Sequence, residues 1–279
     1  MLLTIFNDRL KLTVDTLGAG MTSLQDRNGT EYLAGTGPQL LFPVTGRLWG
    51  DSHLAGGKEC PMEASGFAGT SEFLPLVHEG NRLSLALCPS RKMEQQYPFD
   101  FCLQISYVLH EEEVILSAKV GNIGEEPMAF GIGGAPVFRI PATAEKEEYC
   151  LEFASPCHPV RLGICAGTGL LNGQDRPFSL EDSRRISLPS GLADRETVLL
   201  GNTDRRVSLV SRKTGKGVRI SFPKMPCLGI RREGETLCLA PGTSLPGREG
   251  TLENLLCRSD YLRLEPREIY ENQWRIAIL

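Results

Sequence analysis

The sequence predicts an all-β fold, a large twisted antiparallel β-sandwich with little helix, and three observations carry that prediction. Apolar residues recur at every second position from end to end, the period of strands with one buried face. Gly 30 and Pro 18 supply 48 of the 279 residues, a composition that favours many turns over long helices. Plausible helix is confined to two short stretches, FSLEDSRRISL and TLENLLCRSD.

The elements follow in chain order. MLLTIFNDRLKLTV opens with a short apolar run that no positive leader precedes and that Asp8 and Arg9 interrupt, so it does not read as a signal peptide. In FCLQISYVL, residues Phe101, Leu103, Ile105, Tyr107 and Leu109 share one face of a strand. The polar turn His110-Glu111-Glu112-Glu113 follows, and VILSAKV alternates again through Val114, Leu116, Ala118 and Val120, which makes the pair an antiparallel hairpin. RVSLVSRKTGKGVRISF repeats the design around Lys213-Thr214-Gly215-Lys216-Gly217, so the basic run RKTGKGVR reads as a hairpin turn rather than a phosphate or nucleic-acid patch. The tail alternates from DYLRLEPRE into NQWRIAIL. With no linker, low-complexity tract or internal repeat, residues 1–279 are expected to form a single domain of stacked sheets.

Composition narrows the function. The hydrophobic fraction of 41% and charged fraction of 23% suit a globular protein, and no uncharged apolar stretch reaches the ~18 residues of a membrane span. A formal charge of -4 gives no basic footprint for nucleic acid. The nine cysteines are scattered, without a C-x-x-C pair, and read as buried free thiols in a reducing cytoplasm rather than as a metal site or disulfide framework. GIGG lacks both the third glycine and the following helix of a dinucleotide loop, and GTSLPG is not a nucleophile elbow. The expectation is a cytoplasmic protein with no cofactor and no metal, of undetermined oligomeric state.

Several stretches, taken in order, resemble the galactose mutarotase (aldose 1-epimerase) family, particularly its shorter bacterial branch. LTVDTLGAGMTSLQDRNGTEYL is similar to the opening strands, LLFPVTGRL to "LFP..GR", and EASGFAGTSEF to "..HGFAR..EF". YPFDF and NIGEEPMAFGIGGAPVF follow, and LRLEPREIYENQWRIAI resembles the closing "L.PGE…W.I.I". Each motif is weak alone; the ordered set spans nearly the whole chain. The resemblance implies a twisted β-sandwich that binds a sugar and interconverts its anomers.

That reaction needs a base at the anomeric hydroxyl and an acid at the ring oxygen, each worth about 10²–10⁴ in rate. In the family the base is a Glu and the acid a His, with a second His and an Arg holding the sugar. The corresponding positions here carry none of these. Ser65 and Gly69 stand at the His and Arg of the HGFAR motif, Ala135 at the His of the Gly-Gly-His-Pro turn, and Ala240 at the Glu before a Pro. Arg47 of the GR pair is kept, to hydrogen-bond a sugar hydroxyl or to make a surface ion pair. Glu196 stands near a family Asp that contacts sugar.

Substitutes for the lost groups are few. Of the histidines, His78 and His110 lie in polar turns, whereas His53 shares with Glu59 and Glu63 a loop that approaches the expected cleft. Arg231 falls where the family usually has a Trp; with Arg47, Arg232 and Arg248 it would offer guanidinium groups to a carboxylate or phosphate, unless Arg231 and Arg232 merely alternate outward at a strand end. The sequence therefore predicts a carbohydrate-binding, catalytically degenerate member, with Arg47, Ser65, Glu196 and Arg231 as sugar contacts and a small-molecule sugar as partner, whether neutral, acidic or phosphorylated. A divergent epimerase using His53, Glu59 or Glu63, and a protein-interaction role with a relict cleft, stay open.

Overall fold

Strand alternation becomes sheet structure wherever the apolar face finds a second sheet to cover it. A computed structural model describes residues 1–35, 39–140, 148–188 and 190–279. The predicted hairpin is present as strands Phe101–His110 and Glu113–Asn122, with Phe101, Leu103, Ile105, Tyr107 and Leu109 buried against Val114, Leu116, Ala118 and Val120. The second predicted hairpin is Arg206–Ser211 paired with Gly217–Ser221, closed at the Thr214-Gly215 turn.

These strands belong to a nine-stranded antiparallel sheet. Its order is Arg185–Ser187, Tyr149–Phe153, Arg206–Ser211, Gly217–Ser221, Ile269–Ile278, Glu113–Asn122, Phe101–His110, Arg82–Leu87 and Leu74–Glu79. The C-terminal strand Ile269–Ile278 sits near its middle and turns Trp274 and Ile276 into the core.

An eight-stranded sheet covers it. Its centre is the hairpin Cys227–Glu233 and Thr236–Gly242, flanked by Thr197–Gly201 on one side and by Gly133–Gly134 and Leu40–Leu41 on the other. The inward residues of this sheet (Val198, Leu200, Leu228, Ile230, Leu237 and Leu239) join Leu209, Ile220 and Trp274 of the larger sheet in one hydrophobic cluster. Burial of each large aliphatic side chain is worth about 1.5–3 kcal/mol, and this shared core is what fixes the two sheets face to face. A three-stranded sheet, Leu2–Phe6, Leu10–Asp15 and Gly20–Asp26, adds Ile5, Leu12 and Leu24 to the same cluster.

Helix is sparse, as predicted, but lies elsewhere than expected. FSLEDSRRISL forms turns and the strand Arg185–Ser187, and TLENLLCRSD contributes a single 3-10 turn at Leu255–Cys257. Among the described residues the one α-helix is Arg91–Gln96, capped by the Ser90 hydroxyl, which accepts from the Met93 N–H at 3.4 Å. Among the described residues, no helix is long and apolar enough to cross a membrane.

Candidate functional site

The outer face of the eight-stranded sheet is built from small residues. Because side chains alternate along a strand, burying Leu228, Ile230, Leu237 and Leu239 turns Cys227, Gly229, Arg231, Cys238, Ala240 and Gly242 to the opposite side. The register aligns them across three strands: Leu199 opposite Gly229 opposite Ala240, and Thr197 opposite Arg231 opposite Cys238. An added Cβ at Gly229 would come within 3.3 Å of Ala240 Cβ. The floor is thus open because its residues are small.

Loops raise walls around that floor and leave a cleft of about 520 Å³. One wall is Thr45, Gly46 and Arg47, which follow the cis peptide Phe42–Pro43. The Thr45 hydroxyl lies 2.7 Å from the Ser244 carbonyl and 2.9 Å from the Ser244 hydroxyl, which ties this wall to the chain beyond Gly242. A second wall is Ala64 and Ser65. Ser65 takes a left-handed φ of 68°, donates its N–H to Gly46 O at 3.2 Å and accepts from the Phe42 N–H at 3.2 Å. Gly66 beside it is also left-handed, and a Cβ there would meet Phe42 O at 2.1 Å, so only glycine closes this turn. Ile164, Gly167, Thr168 and Gly169 form a third side.

Arg258 holds the Ser244–Pro246 segment from behind. Its guanidinium donates to Leu245 O and Pro246 O at 3.1 Å each, and to Glu253 and Asp260 carboxylates at 2.6 and 2.7 Å. It also lies 4.8 Å over the Tyr261 ring. Arg258 and Glu253 are nearly excluded from solvent, at 9% and 8% exposure, so removing Arg258 would leave the Glu253 carboxylate buried without its partner, typically at 3–5 kcal/mol.

The electrostatics of the cleft are cationic. Arg47 and Arg231 line it, whereas no carboxylate and no imidazole does among the described residues. Arg47 Nε lies 3.0 Å from Asp51 Oδ1 but out of hydrogen-bond alignment, and this buried N–H has no hydrogen-bond partner among the described residues. Arg231 makes one loose ion pair, 3.7 Å to Glu233, and stays half exposed. Burial pushes the Cys227 thiol up to about 11, so it remains protonated at neutral pH; Cys238 on the same face is likewise raised to about 11 by burial.

The sequence-derived candidates separate sharply. Arg47, Ser65, Ala240 and Arg231 meet around the one cleft. Ala135 lies one strand away, between the pairs Gly133–Gly242 and Val137–Cys238, so it stands level with Ala240 across the sheet. Gly69 sits behind the Ser65 turn in the 3-10 segment Ala68–Thr70, with its carbonyl against Gly18.

The proposed substitutes lie elsewhere. His53, expected to approach the cleft, is instead fully buried in the strand Ser52–Ala55, its Nε2–H donating to Gln96 O at 2.8 Å and its ring 6.4 Å from that of Tyr97. The hydrophobic environment that admits it also lowers its pKa, the Gln96 hydrogen bond opposing. Glu59 accepts from the Ser52 hydroxyl at 2.7 Å on the adjoining strand, and Glu63 is exposed outside the cleft lining. Glu196 is ion-paired with Arg161 and does not line the cleft; its neighbour Thr197 does. Arg232 turns to the other side, bonding Leu192 O at 3.3 Å, and Arg248 is exposed away from the lining.

Sequence reading missed Thr45, Thr197, Ser244 and the 164–169 loop as cleft residues, and Arg258 as their support. Register signals Thr197: once Arg231 is placed on the cleft face, its cross-strand partner follows. The 164–169 loop carries no such signal.

The family model for aldose 1-epimerase matches residues 1–254. Protein LacX, in its plasmid-borne form from Lactococcus lactis subsp. lactis, is 32% identical over 245 residues, which cover 82% of each chain. Among solved structures, a galactose mutarotase related enzyme from Lactobacillus acidophilus superimposes with a TM-score of 0.92 at 22% identity, covering 100% of this chain and 97% of its own. A galactose mutarotase-like protein from Lactobacillus casei ATCC 334 gives a TM-score of 0.90 at 21% identity, with 100% of both chains covered.

Proposed function

The chain belongs to the aldose 1-epimerase family, and we propose that it binds a sugar in the Arg47–Arg231 cleft without catalysing the family's interconversion of anomers. One observation carries this reading: the cleft is open and lined by two arginines, yet its lining has no carboxylate and no imidazole among the described residues. Ring opening requires proton transfer at two oxygens. Losing both partners costs roughly 10⁴–10⁸ in rate if their effects combine, which returns the reaction to its background. Of the alternatives, His53 is buried in the core, Glu59 is bonded to Ser52 and Glu63 is exposed, and none of the three lines the cleft.

The charge of the cleft supports an acidic ligand, a uronate or sugar phosphate. Two guanidinium groups with unused donors face it, and none of its lining residues is aromatic among the described residues, which gives a neutral sugar no ring to stack on there. Ser65, Thr197 and Ser244 would serve its hydroxyls. The reading extends to a cytoplasmic setting and a role in sensing or sequestering the sugar.

The test measures anomer exchange and binding together. Exchange of glucose and galactose anomers, followed by NMR at high protein concentration, should match buffer, while glucuronate or glucose 6-phosphate should raise the melting temperature saturably. Acceleration well above buffer would overturn the inert assignment; stabilisation by neutral hexoses but not acidic ones would overturn the acidic ligand. Restoring the lost groups in the triple variant Ser65→His, Ala135→His and Ala240→Glu should recover mutarotation. A folded, sugar-binding but inactive triple variant would displace the site from these positions.

A further inference from the structure

We propose that the outward face of the nine-stranded sheet carries a second site, for the phosphoryl group of a small molecule, held between Arg206 and Arg219. This site lies on the far side of the sandwich from the cleft and is independent of the sugar-binding reading. Alternation separates the two: burying Val207, Leu209, Val218 and Ile220 in the shared core turns Arg206, Ser208, Arg219 and Ser221 outward.

The register places the two arginines as diagonal neighbours. Arg206 is opposite Ser221, and Ser208 is opposite Arg219. Diagonal neighbours across an antiparallel pair lie about 7–8 Å apart at the backbone, and like charges so placed repel. Nearby arginines are already engaged: Arg184 and Arg185 share Glu152 at 3.6 and 2.9 Å, and Arg212 holds Glu181 at 2.7 Å. On the other flank, Lys119 pairs with Glu271 at 3.1 Å. Arg206 and Arg219 have no carboxylate within ion-pair distance among the described residues; Arg219 donates only to the Ser208 hydroxyl, at 3.2 Å.

The surrounding surface is a trough rather than a flat face. Two polar hollows, of about 820 and 690 Å³, meet at Arg206, which lines both. Of the basic side chains that line them, Arg184, Arg185, Arg212, Lys119 and Arg275 are ion-paired with Glu152, Glu181, Glu271 and Glu113, which leaves Arg206 and Arg219 as neighbours without a carboxylate among the described residues. Two such guanidinium groups side by side repel unless an anion lies between them. Two guanidinium forks beside two serine hydroxyls match the tetrahedral oxygens of a phosphoryl group. Among the described residues the one aromatic on the lining, Phe153, is fully buried, so nucleic-acid bases would find no platform for stacking there.

Calorimetric titration with inorganic phosphate and with glucose 6-phosphate, at constant ionic strength set by sodium chloride, tests the site. Both ligands should bind the wild-type protein. Measured in an Arg231→Gln background, which removes the cleft's own guanidinium, Arg206→Gln and Arg219→Gln should each weaken phosphate by about tenfold, the loss expected for one charge-assisted contact, and both together should abolish it; Arg267→Gln, in an exposed ion pair lining neither trough nor cleft, should leave phosphate affinity unchanged. Phosphate binding that survives the removal of Arg206 and Arg219 in that background, or that disappears with Arg231→Gln alone, would overturn the proposal. So would no binding of phosphate to the wild-type protein.

Discussion

His53 shows how a residue that invites a catalytic reading serves the core instead. Its Nε2–H is committed to Gln96 O, and its buried Nδ1 has no hydrogen-bond partner among the described residues, so protonation would place a cation in a dry pocket. Burial accordingly depresses its folded-state pKa below 6.5, with the Gln96 hydrogen bond opposing. The unfolded chain therefore takes up this proton first as pH falls. Stability is fully present above about pH 6.5 and declines as pH drops towards the folded value, by at most about 1.4 kcal/mol per pH unit. Urea midpoints measured from pH 7.5 down to 5 should fall, and His53→Gln should flatten that part of the profile. An unchanged slope in the variant would assign the dependence to other groups. The sequence showed His53 near the right motifs; only the packing of Tyr97 and Gln96 around it reveals its direction.

Among the elements, the hairpin Cys227–Glu233 and Thr236–Gly242 governs access to the cleft. One face must be large and apolar to reach the opposing sheet, and the other must be small to leave room for a ligand. Gly229 sits at the centre of the small face, opposite Ala240. Gly229→Leu would project a side chain over the floor into the 520 Å³ space, without touching the core face. The expected outcome is loss of sugar binding with a melting temperature close to wild type. A variant that still binds sugar as the parent does would place the ligand elsewhere. Long alternating strands such as Phe101–His110 were legible because each carries its own buried face in sequence. The capped helix Arg91–Gln96 was not, since six residues are too few to show a helical period. FSLEDSRRISL misled for the opposite reason: its helix-compatible residues are overruled by Ile186, which enters the core from a strand paired with Tyr149–Phe153.

At the scale of the whole molecule, the cleft is assembled from residues in the 40s, the 60s, the 160s, the 190s and 227–246, which the sandwich topology alone brings together. Sequence motifs located Arg47, Ser65 and Ala240 separately, but their shared orientation is a property of the sheet, and so is a lining that holds no carboxylate and no imidazole among the described residues. The same topology has a thermodynamic consequence. The inward faces of the three-, eight- and nine-stranded sheets merge into one cluster running from Leu3 to Ile276, and the C-terminal strand Ile269–Ile278 is paired on both edges inside the larger sheet. No sheet can therefore lose its partner without exposing that partner's apolar face. We infer that the 279 residues unfold as one domain. Calorimetry should give a single transition whose measured enthalpy equals the van't Hoff enthalpy, as cooperative all-or-none unfolding requires. Two resolved transitions would divide the chain instead, and the fragment that melts first would show which sheet stands alone.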